Sequence, residues 1–271
     1  MNQYRGNRGF TLVELLVVVA IITVLVSVLL PTLARAVDAA RTVTCASQMR
    51  QIGTASVGYS TDNDGFVVFA AWEYEGKEWG FDDMLSPYAG KDLSKAEIDS
   101  GNRFDTADQW ANLADIWQCP DDPFDDSPTR FTYRMPSHNN NTTTGKRGSR
   151  PGIGISNTRW PDDGWRTLEQ WRYAQLPDAA GTLLLAEKIA KSGEDGLGRL
   201  RGKTIRRVRD MLRIDDPWTR ELHDGRMNWA FVDGSVRRLE PIETVGDGDP
   251  ERLNPAGRMD SDGMWTVLAN D

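Results

Sequence analysis

The order of apolar and polar residues divides the chain into a continuously apolar segment near its start and a mixed remainder. Residues 10–30 read FTLVELLVVVAIITVLVSVLL, and Glu14 is the only charged residue among these 21. A helix of that length, at about 1.5 Å per residue, spans roughly 31 Å, the thickness of the hydrocarbon core of a bilayer. It is apolar on every face, unlike an amphipathic surface helix. The pattern predicts a membrane-spanning helix, and a buried core helix is the alternative.

After Pro31 the pattern changes to one that recurs mostly at steps of three and four residues. The recurring positions are Leu33, Val37, Ala40, Val43, Cys45, Met49, Ile52, Ser56 and Tyr59. This spacing predicts that residues 31–60 continue the helix as an amphipathic half that packs on a globular head. Pro31 can bend a helix without ending it, and the Asp-Asn-Asp-Gly run at residues 62–65 is a stop signal.

Residues 61–271 predict one globular head. The strand candidates are residues 66–72, 131–135 and 182–187, the helix candidates are residues 82–88 and 106–117, and residues 139–152 are a polar loop. The clearest element is a C-terminal hairpin at residues 226–240, whose two strands flank Asp233-Gly234, a strong two-residue turn signal. A long helix followed by antiparallel strands predicts an α+β fold.

Charge gives the expected orientation and argues against one class of partner. Arg5 and Arg8 precede the apolar segment without acidic neighbours, which keeps the leader in the cytoplasm and sends the head outside. Residues 27–31 offer no small-residue cleavage site, so we expect the span to be retained. The net charge of −8 makes nucleic-acid binding unexpected, although residues 199–213 carry seven basic side chains and one acidic one. A solvated face is the favoured interpretation of that segment.

The string RGFTLVELLVVVAII at residues 8–22 closely resembles the type IV prepilin signal. The resemblance implies that residues 1–9 are a leader, that a prepilin peptidase cuts after Gly9, and that the new amino terminus on Phe10 is methylated. Glu14 becomes the fifth residue of the mature chain, and Pro31 falls where many family members carry a helix-bending proline. The implied partners are the peptidase, other pilin or pseudopilin subunits, the inner-membrane assembly platform and membrane lipid.

The position of Glu14 supports that resemblance on physical grounds. A carboxylate costs about 2.5 kcal/mol or more near the centre of a bilayer, so it needs a positive partner. A mature amine on Phe10 could supply the partner within the chain, or the amine of a neighbouring chain could do so and set the axial register of assembly. A glutamate that merely snorkels to the interface is the alternative.

A second resemblance lies in the hairpin. The segment HDGRMNWAFVDG places nine residues between His223 and Asp233-Gly234, and it resembles the His-x9-Asp-Gly motif of a prepilin-like (DUF1559-like) family. Further short pieces agree loosely: Cys45 with QMRQIG at residues 48–53, QCP at 118–120 and LLAE at 184–187. The motif brackets a strand of about seven residues, roughly 23 Å long, so we expect His223 and Asp233 at opposite ends. Gly234 would supply a positive φ, and His223 would cap or hydrogen-bond a turn.

The remaining candidates for chemistry are few. Cys45 and Cys119 can pair outside the cytoplasm, closing a loop of about 75 residues and contributing roughly 4 kcal/mol, or remain two separate thiols. Two cysteines and two histidines leave little material for zinc, and no metal is predicted. Calcium is a weaker alternative at acidic clusters that do not match the EF-hand spacing. These clusters are Asp62/Asp64, Asp121/Asp122/Asp125/Asp126, Asp162/Asp163 and Asp247/Asp249.

These patterns favour a structural role over catalysis. No nucleophile elbow, phosphate-binding loop or zinc-protease motif is present in the sequence. We expect a minor or specialised prepilin-like subunit of a type IV pilus or a type II secretion pseudopilus. It would reside in the cytoplasmic membrane before assembly and in a periplasmic or surface filament afterwards. A membrane-anchored binding protein, for example one that stacks glycans on some of the ten tryptophans, is the main alternative. A tethered hydrolase that uses His223 is a weaker one.

Overall fold

The structure is a computed structural model. It describes residues 10–68, 71–74, 77–90, 115–122, 132–139, 154–157, 172–187, 204–205 and 222–244. The chain divides into two compact units, Met1–Ala40 and Arg41–Asp271. One helix contributes residues to both units, and the boundaries predicted after residues 30 and 60 stay predictions.

That helix, α1 (Leu12–Asp62), is unbroken and contains Pro31. Within the first unit its side chains are exposed, and it is long and apolar enough to cross a membrane. Its hydroxyl groups bond their own backbone: Thr23 donates to the Val19 carbonyl, Ser27 to Val24 and Thr32 to Leu29, each at 2.8 Å. These three hydroxyl groups therefore find their acceptors inside the helix, as an apolar surrounding requires.

The part of α1 in the second unit packs along one face. Its buried residues are Cys45, Met49, Ile52, Gly53, Ala55, Ser56 and Ser60. The predicted packing face is therefore correct from Cys45 onward, although Tyr59 is only partly buried. Leu33, Val37 and Val43 were predicted on that face but are exposed. The first two precede the second unit, and Val43 lies two residues from Cys45, so it points to the opposite side of the helix.

Four antiparallel strands form the main part of the sheet. They are β3 (Tyr133–Asn139), β5 (Leu183–Glu187), β7 (Met227–Phe231) and β8 (Val236–Leu239), hydrogen-bonded in that order. The predicted α+β class, with a long helix packed on an antiparallel sheet, is confirmed. Parallel pairing, which was not expected, extends the sheet beyond β3 through β4 (Gly154–Asn157) and β6 (Thr204–Ile205). The antiparallel pair β1 (Ala71–Tyr74) and β2 (Lys77–Gly80) completes that side.

The core lies between α1 and the central strands. All residues of β5 and β7 are buried, and Leu184, Leu185 and Ala230 share one apolar cluster with Met49 and Ile52. A methyl group placed on Gly53 would lie 3.9 Å from Leu184 Cδ2, so helix and strand approach closely here. The uninterrupted apolar run of β5 is typical of a strand covered on both faces.

Some predicted elements differ from the structure. The strand expected at residues 66–72 is wrong in position, because Phe66 forms an isolated bridge with Arg172 and β1 begins at Ala71. The helix expected at 82–88 is the short α2 (Phe81–Leu85) followed by a 3-10 turn, Ser86–Ala89. Of the helix expected at 106–117, only a 3-10 turn at Asp115–Trp117 is described. Residues 140–152 of the predicted polar loop, the leader and most of the basic segment lie outside the described residues.

The predicted hairpin is present, and its turn explains the Asp-Gly pair. Gly234 has a φ of +84°, which a residue with a side chain adopts only at a cost. The Phe231 amide donates to the Ser235 carbonyl at 2.9 Å, and the Gly234 amide donates to the Phe231 carbonyl at 3.0 Å. These bonds close the turn between β7 and β8.

The helix-to-sheet core predicts the effect of shortening one buried side chain. Ile52→Ala should lower the free energy of unfolding of the second unit by about 2–5 kcal/mol, because it leaves a cavity beneath the sheet. Urea unfolding of the full chain in detergent, followed by tryptophan fluorescence, measures the change. Val57→Ala, on the half-exposed side of the same helix, is the matched control and should stay within about 0.5 kcal/mol. Equal losses in both variants would contradict this packing.

Candidate functional site

The N-terminus of α1 carries a capping box that was not predicted from the sequence. Thr11 precedes the first helical residue, and Glu14 is the third residue of the helix. Glu14 Oε2 accepts from the Thr11 amide at 2.9 Å and from the Thr11 hydroxyl at 2.8 Å, while the Glu14 amide donates to Thr11 Oγ1 at 3.2 Å. The T-x-x-E spacing is the known signature of this cap and could have revealed it.

The hydrogen bonds of the cap engage one carboxylate oxygen of Glu14, Oε2. No hydrogen bond to Oε1 is present among the residues that the structure describes. Phe10, the predicted mature terminus, is 71% exposed beside the cap, whereas Gly9 lies outside the described residues. Pro31 is 17 residues further along α1, roughly 26 Å at the standard rise, so Pro31 and Glu14 act at separate places.

The second candidate is a buried polar cluster in the head, made from four distant pieces of sequence. Cys45 comes from α1, Cys119 from the loop after the 3-10 turn, Glu187 from the end of β5 and His223 from the turn before β7. All four are buried, and their sulfur, carboxylate and imidazole atoms lie within 4.8 Å of one another. Each of the four residues belongs to one of the short sequence pieces that resembled the His-x9-Asp-Gly family. The fold therefore gathers the pieces at one place.

The two ring nitrogens of His223 contact different groups of residues. Nδ1 lies 2.9 Å from Asp121 Oδ2 and 2.9 Å from Thr42 Oγ1. Nε2 lies 3.3 Å from Glu187 Oε1 and 3.4 Å from Cys119 Sγ. A carboxylate only accepts hydrogen bonds, so Asp121 pairs with Nδ1, and Glu187 with Nε2, only when that ring nitrogen is the donor.

Glu187 is held by Asn228, which follows Met227 in β7. Its Oε2 accepts from the Asn228 amide at 2.6 Å, and its Oε1 accepts from Asn228 Nδ2 at 2.9 Å. The same Asn228 Nδ2 also donates to the Thr42 carbonyl of α1 at 3.2 Å. The orientation of the buried carboxylate is therefore fixed by two strands and the helix. Neither Asn228 nor Thr42 was singled out from the sequence.

The backbone at His223 is in an uncommon conformation. His223 and Asp224 have φ values of 50° and 58°, and Gly225 follows at 79°, so three consecutive residues are left-handed. For a residue other than glycine this conformation costs of order 1–3 kcal/mol. The His223 carbonyl accepts from Arg238 Nη2 and from the Arg226 amide, which stabilises the turn. The turn places the imidazole in the interior, where Nδ1 lies beside Asp121 of another turn.

Asp233 lies at the other end of β7, as the strand length predicted. Its Oδ1 accepts from the Ser235 amide at 2.9 Å, and its own amide donates to the Ala179 carbonyl at 3.1 Å. Partial burial raises the pKa of Asp233, but the Ser235 hydrogen bonds and the charge of Arg237 outweigh burial and hold the pKa below its usual range. Within the described part of the chain, Asp233 and His223 share no hydrogen-bond partner. Asp233 is therefore a turn residue.

The sulfurs of Cys45 and Cys119 are bonded to each other, with 5.0 Å between the two Cα atoms. The pairing, left open by the sequence, ties α1 to the loop that also carries Asp121. Tyr133 of β3 adds to this tie, because its hydroxyl donates to Gln48 Oε1 at 2.6 Å and to the Cys45 carbonyl at 3.3 Å. Burial, and then the nearby charges of Glu187 and Asp122, raise the pKa of the Tyr133 hydroxyl far above its usual range. It therefore remains a donor.

Three of the four described acidic residues weighed for calcium have side chains that contact protein groups. Tyr88 donates to Asp62 at 3.0 Å, His223 faces Asp121, and Thr132 donates to Asp122 at 2.8 Å. Asp64 has a φ of 51° in the turn after α1. The other acidic clusters, Asp125/Asp126, Asp162/Asp163 and Asp247/Asp249, lie outside the described residues.

Comparison with known proteins bears on the first site. Residues 4–30 match the family model described as the prokaryotic N-terminal methylation motif. No curated protein and no solved structure matches the chain. The chain thus carries a prepilin-type methylation motif, which indicates a type IV pilin-like substrate of prepilin processing. Membership of the His-x9-Asp-Gly family is not confirmed by these comparisons.

The buried cluster predicts a large difference between two glutamates. Glu187→Ala should destabilise the second unit by about 3–5 kcal/mol, because it leaves His223 and Asn228 without their buried acceptor. Glu240→Ala is the control, since Glu240 is exposed and pairs with Arg226 at 3.6 Å across the surface. Its loss should cost about 0–1 kcal/mol. Chemical denaturation measures both values, and similar small losses would mean that the cluster does not hold the head together.

Proposed function

We propose that this chain is a prepilin-like subunit, in a minor or specialised role, of a type IV pilus or a type II secretion pseudopilus. It is inserted in the cytoplasmic membrane, cut after Gly9 by a prepilin peptidase and methylated on Phe10. The observation that carries the proposal is the methylation motif over residues 4–30, which includes the apolar first part of the long helix α1. The chain is the substrate of its peptidase and performs no reaction of its own.

The exposed apolar surface of α1 supports assembly through the helix. Val, Leu and Ile side chains from Leu12 to Leu33 are 43–78% exposed and must be covered by lipid or by neighbouring helices. Both environments fit a subunit that moves from the bilayer into a filament.

Glu14 supplies the specific contact in this proposal. Its Oε2 caps its own helix, and its Oε1 is the oxygen proposed to meet a partner outside the cap. The mature amine on Phe10 of an adjacent subunit would neutralise this charge when the two spans lie side by side. Because an unpaired charge in lipid is costly, only one axial offset between subunits satisfies both groups.

The head is proposed to lie outside the cytoplasm. Arg5 and Arg8 favour a cytoplasmic leader, and the Cys45–Cys119 bond is typical of an oxidising compartment. Removal of those two arginines changes the side-chain charge from −8 to −8 − 2 = −10. The exported subunit is therefore acidic.

Mass spectrometry of the native protein tests the processing step. We expect the mature chain to begin at Phe10 with one added methyl group on its amine. In a strain without the peptidase, the same peptide should begin in the leader. A native chain with an intact Gly9–Phe10 bond would refute the proposal.

Three substitutions separate the charge of Glu14 from its capping role. Glu14→Gln keeps a capping side chain but removes the charge, so filament incorporation should fall roughly tenfold or more. Glu14→Val removes both the charge and the capping group, and it should lower filament incorporation as much as Glu14→Gln does. Thr11→Ala weakens the cap by about 1 kcal/mol but keeps the charge, and it should assemble nearly normally.

Immunoblots of sheared filaments and of membranes measure incorporation and total level for each variant. The membrane level should be unchanged in all three, because the apolar span is intact. Normal assembly of Glu14→Gln with failure of Thr11→Ala would show that Glu14 serves as a helix cap alone. Normal membrane levels with no filament incorporation of the unaltered chain would favour an anchored binding protein.

A further inference from the structure

We propose that the buried cluster in the head is a zinc site whenever the Cys45–Cys119 bond is reduced. The ligands are Cys45 Sγ, Cys119 Sγ, Glu187 Oε1 and His223 Nε2, which lie within 4.8 Å of one another. Two thiolates, one imidazole and one carboxylate form a four-ligand set of the types that zinc binds tetrahedrally. This inference concerns the head and does not depend on how the N-terminus is processed.

The geometry requires only a local change. Tetrahedral zinc with bonds of about 2.3 Å to sulfur holds two sulfurs about 3.8 Å apart. The Cα atoms of Cys45 and Cys119 are 5.0 Å apart, a separation that side-chain rotation can adapt to either state. Glu187 and His223 have side chains that are 0% exposed, and Nε2 and Oε1 already face each other at 3.3 Å. The metal would enter among groups that converge on one point.

The groups around His223 and Glu187 resemble those that orient the ligands of a metal site. A histidine that binds a metal through one nitrogen usually donates its second N–H to a carboxylate. Asp121 Oδ2 occupies that position 2.9 Å from Nδ1 and leaves Nε2 for the metal. Glu187 is oriented by two hydrogen bonds from Asn228. Both ligands are thus held in place by groups that would not bind the metal themselves.

Donor type and charge select the metal. Thiolate and imidazole donors favour zinc over the hard cations calcium and magnesium, which prefer several oxygen ligands. Two thiolates and one carboxylate carry three negative charges, and Zn²⁺ reduces the net charge of the site to −1. Arg41 lies 3.8 Å from Asp121 and offsets part of the remaining negative charge. Without a cation, the reduced cluster would bury uncompensated thiolates or retain neutral thiols.

The two states exclude each other for a chemical reason. The disulfide accepts two electrons and two protons from an external dithiol, which becomes a disulfide, and yields two cysteine thiols. Binding of Zn²⁺ then releases those two protons as the thiolates coordinate the metal. In the oxidised chain the sulfurs are bonded to each other and offer no thiolate. The same four residues therefore stabilise the head through a covalent bond or through a metal, according to the redox conditions.

Metal titration of the full chain in detergent tests this inference. The protein is reduced with dithiothreitol, which is removed under anaerobic conditions, and then titrated with Co²⁺ and with Zn²⁺. We expect one metal ion per reduced chain, tetrahedral Co²⁺ absorption with thiolate-to-metal charge-transfer bands, and displacement of Co²⁺ by Zn²⁺. Because the chain contains only two cysteines, those bands can arise only from Cys45 and Cys119. The oxidised chain should give none.

Variants assign the ligands. Cys119→Ser and His223→Gln should abolish the tetrahedral Co²⁺ spectrum. Asp121→Asn, next to the site, should weaken Zn²⁺ affinity by about 10–100-fold. Asp233→Asn, in the turn at the other end of β7, is the matched control and should bind normally. Full-strength binding by Cys119→Ser, or no metal uptake by the reduced unaltered chain, would overturn the proposal.

Thermal unfolding of the unaltered chain provides a readout that needs no variant. Zn²⁺ should raise the unfolding temperature of the reduced chain, or restore its folding if reduction unfolds it, because ligand binding to the folded state is linked to stability. Ca²⁺ and Mg²⁺ should have no such effect, and Zn²⁺ should not change the oxidised chain. An equal response of the oxidised and reduced chains to Zn²⁺ would place the metal elsewhere and contradict the assignment.

Discussion

The second unit depends on the contact between the buried face of α1 and the two fully buried strands β5 and β7. Apolar side chains such as Ile52 and Leu184 supply the area of that contact, and polar groups at one end give it a defined register. Asn228 joins β7 to both Glu187 and the Thr42 carbonyl, while Cys45 joins the helix to the loop of Cys119. Apolar packing alone would tolerate a shift along the helix, whereas these directional bonds do not.

The two parts of α1 differ in what covers their apolar side chains. From Arg41 onward the helix has one face that its own chain covers. Before that point its apolar side chains are exposed, and their burial needs lipid or other helices. Under the proposed function, the stability of the head and the assembly of the subunit depend on different segments of one continuous helix.

Local signals in the sequence were sufficient for several elements. The apolar run at residues 10–30, the three- and four-residue steps around Met49, and the Asp233-Gly234 turn each depend on neighbouring residues, and the structure contains the corresponding features. The strand predicted at residues 66–72 is displaced, because strand pairing is decided by distant partners such as Arg172. Leu33 and Val37 have suitable spacing for packing, but spacing cannot tell where the covering head begins.

The sequence by itself determined the long helix, the single carboxylate Glu14 in its apolar part and the α+β class, since periodicity, charge and turn chemistry act over a few residues. It also identified His223, Cys45 and Cys119 as noteworthy, but as separate features. Only the tertiary structure brought Glu187, Asn228 and Asp121 around His223 and placed the two sulfurs beside it. The ring of His223 contacts residues that are 36 to 181 positions away in the sequence, and no local pattern encodes a distance across the core.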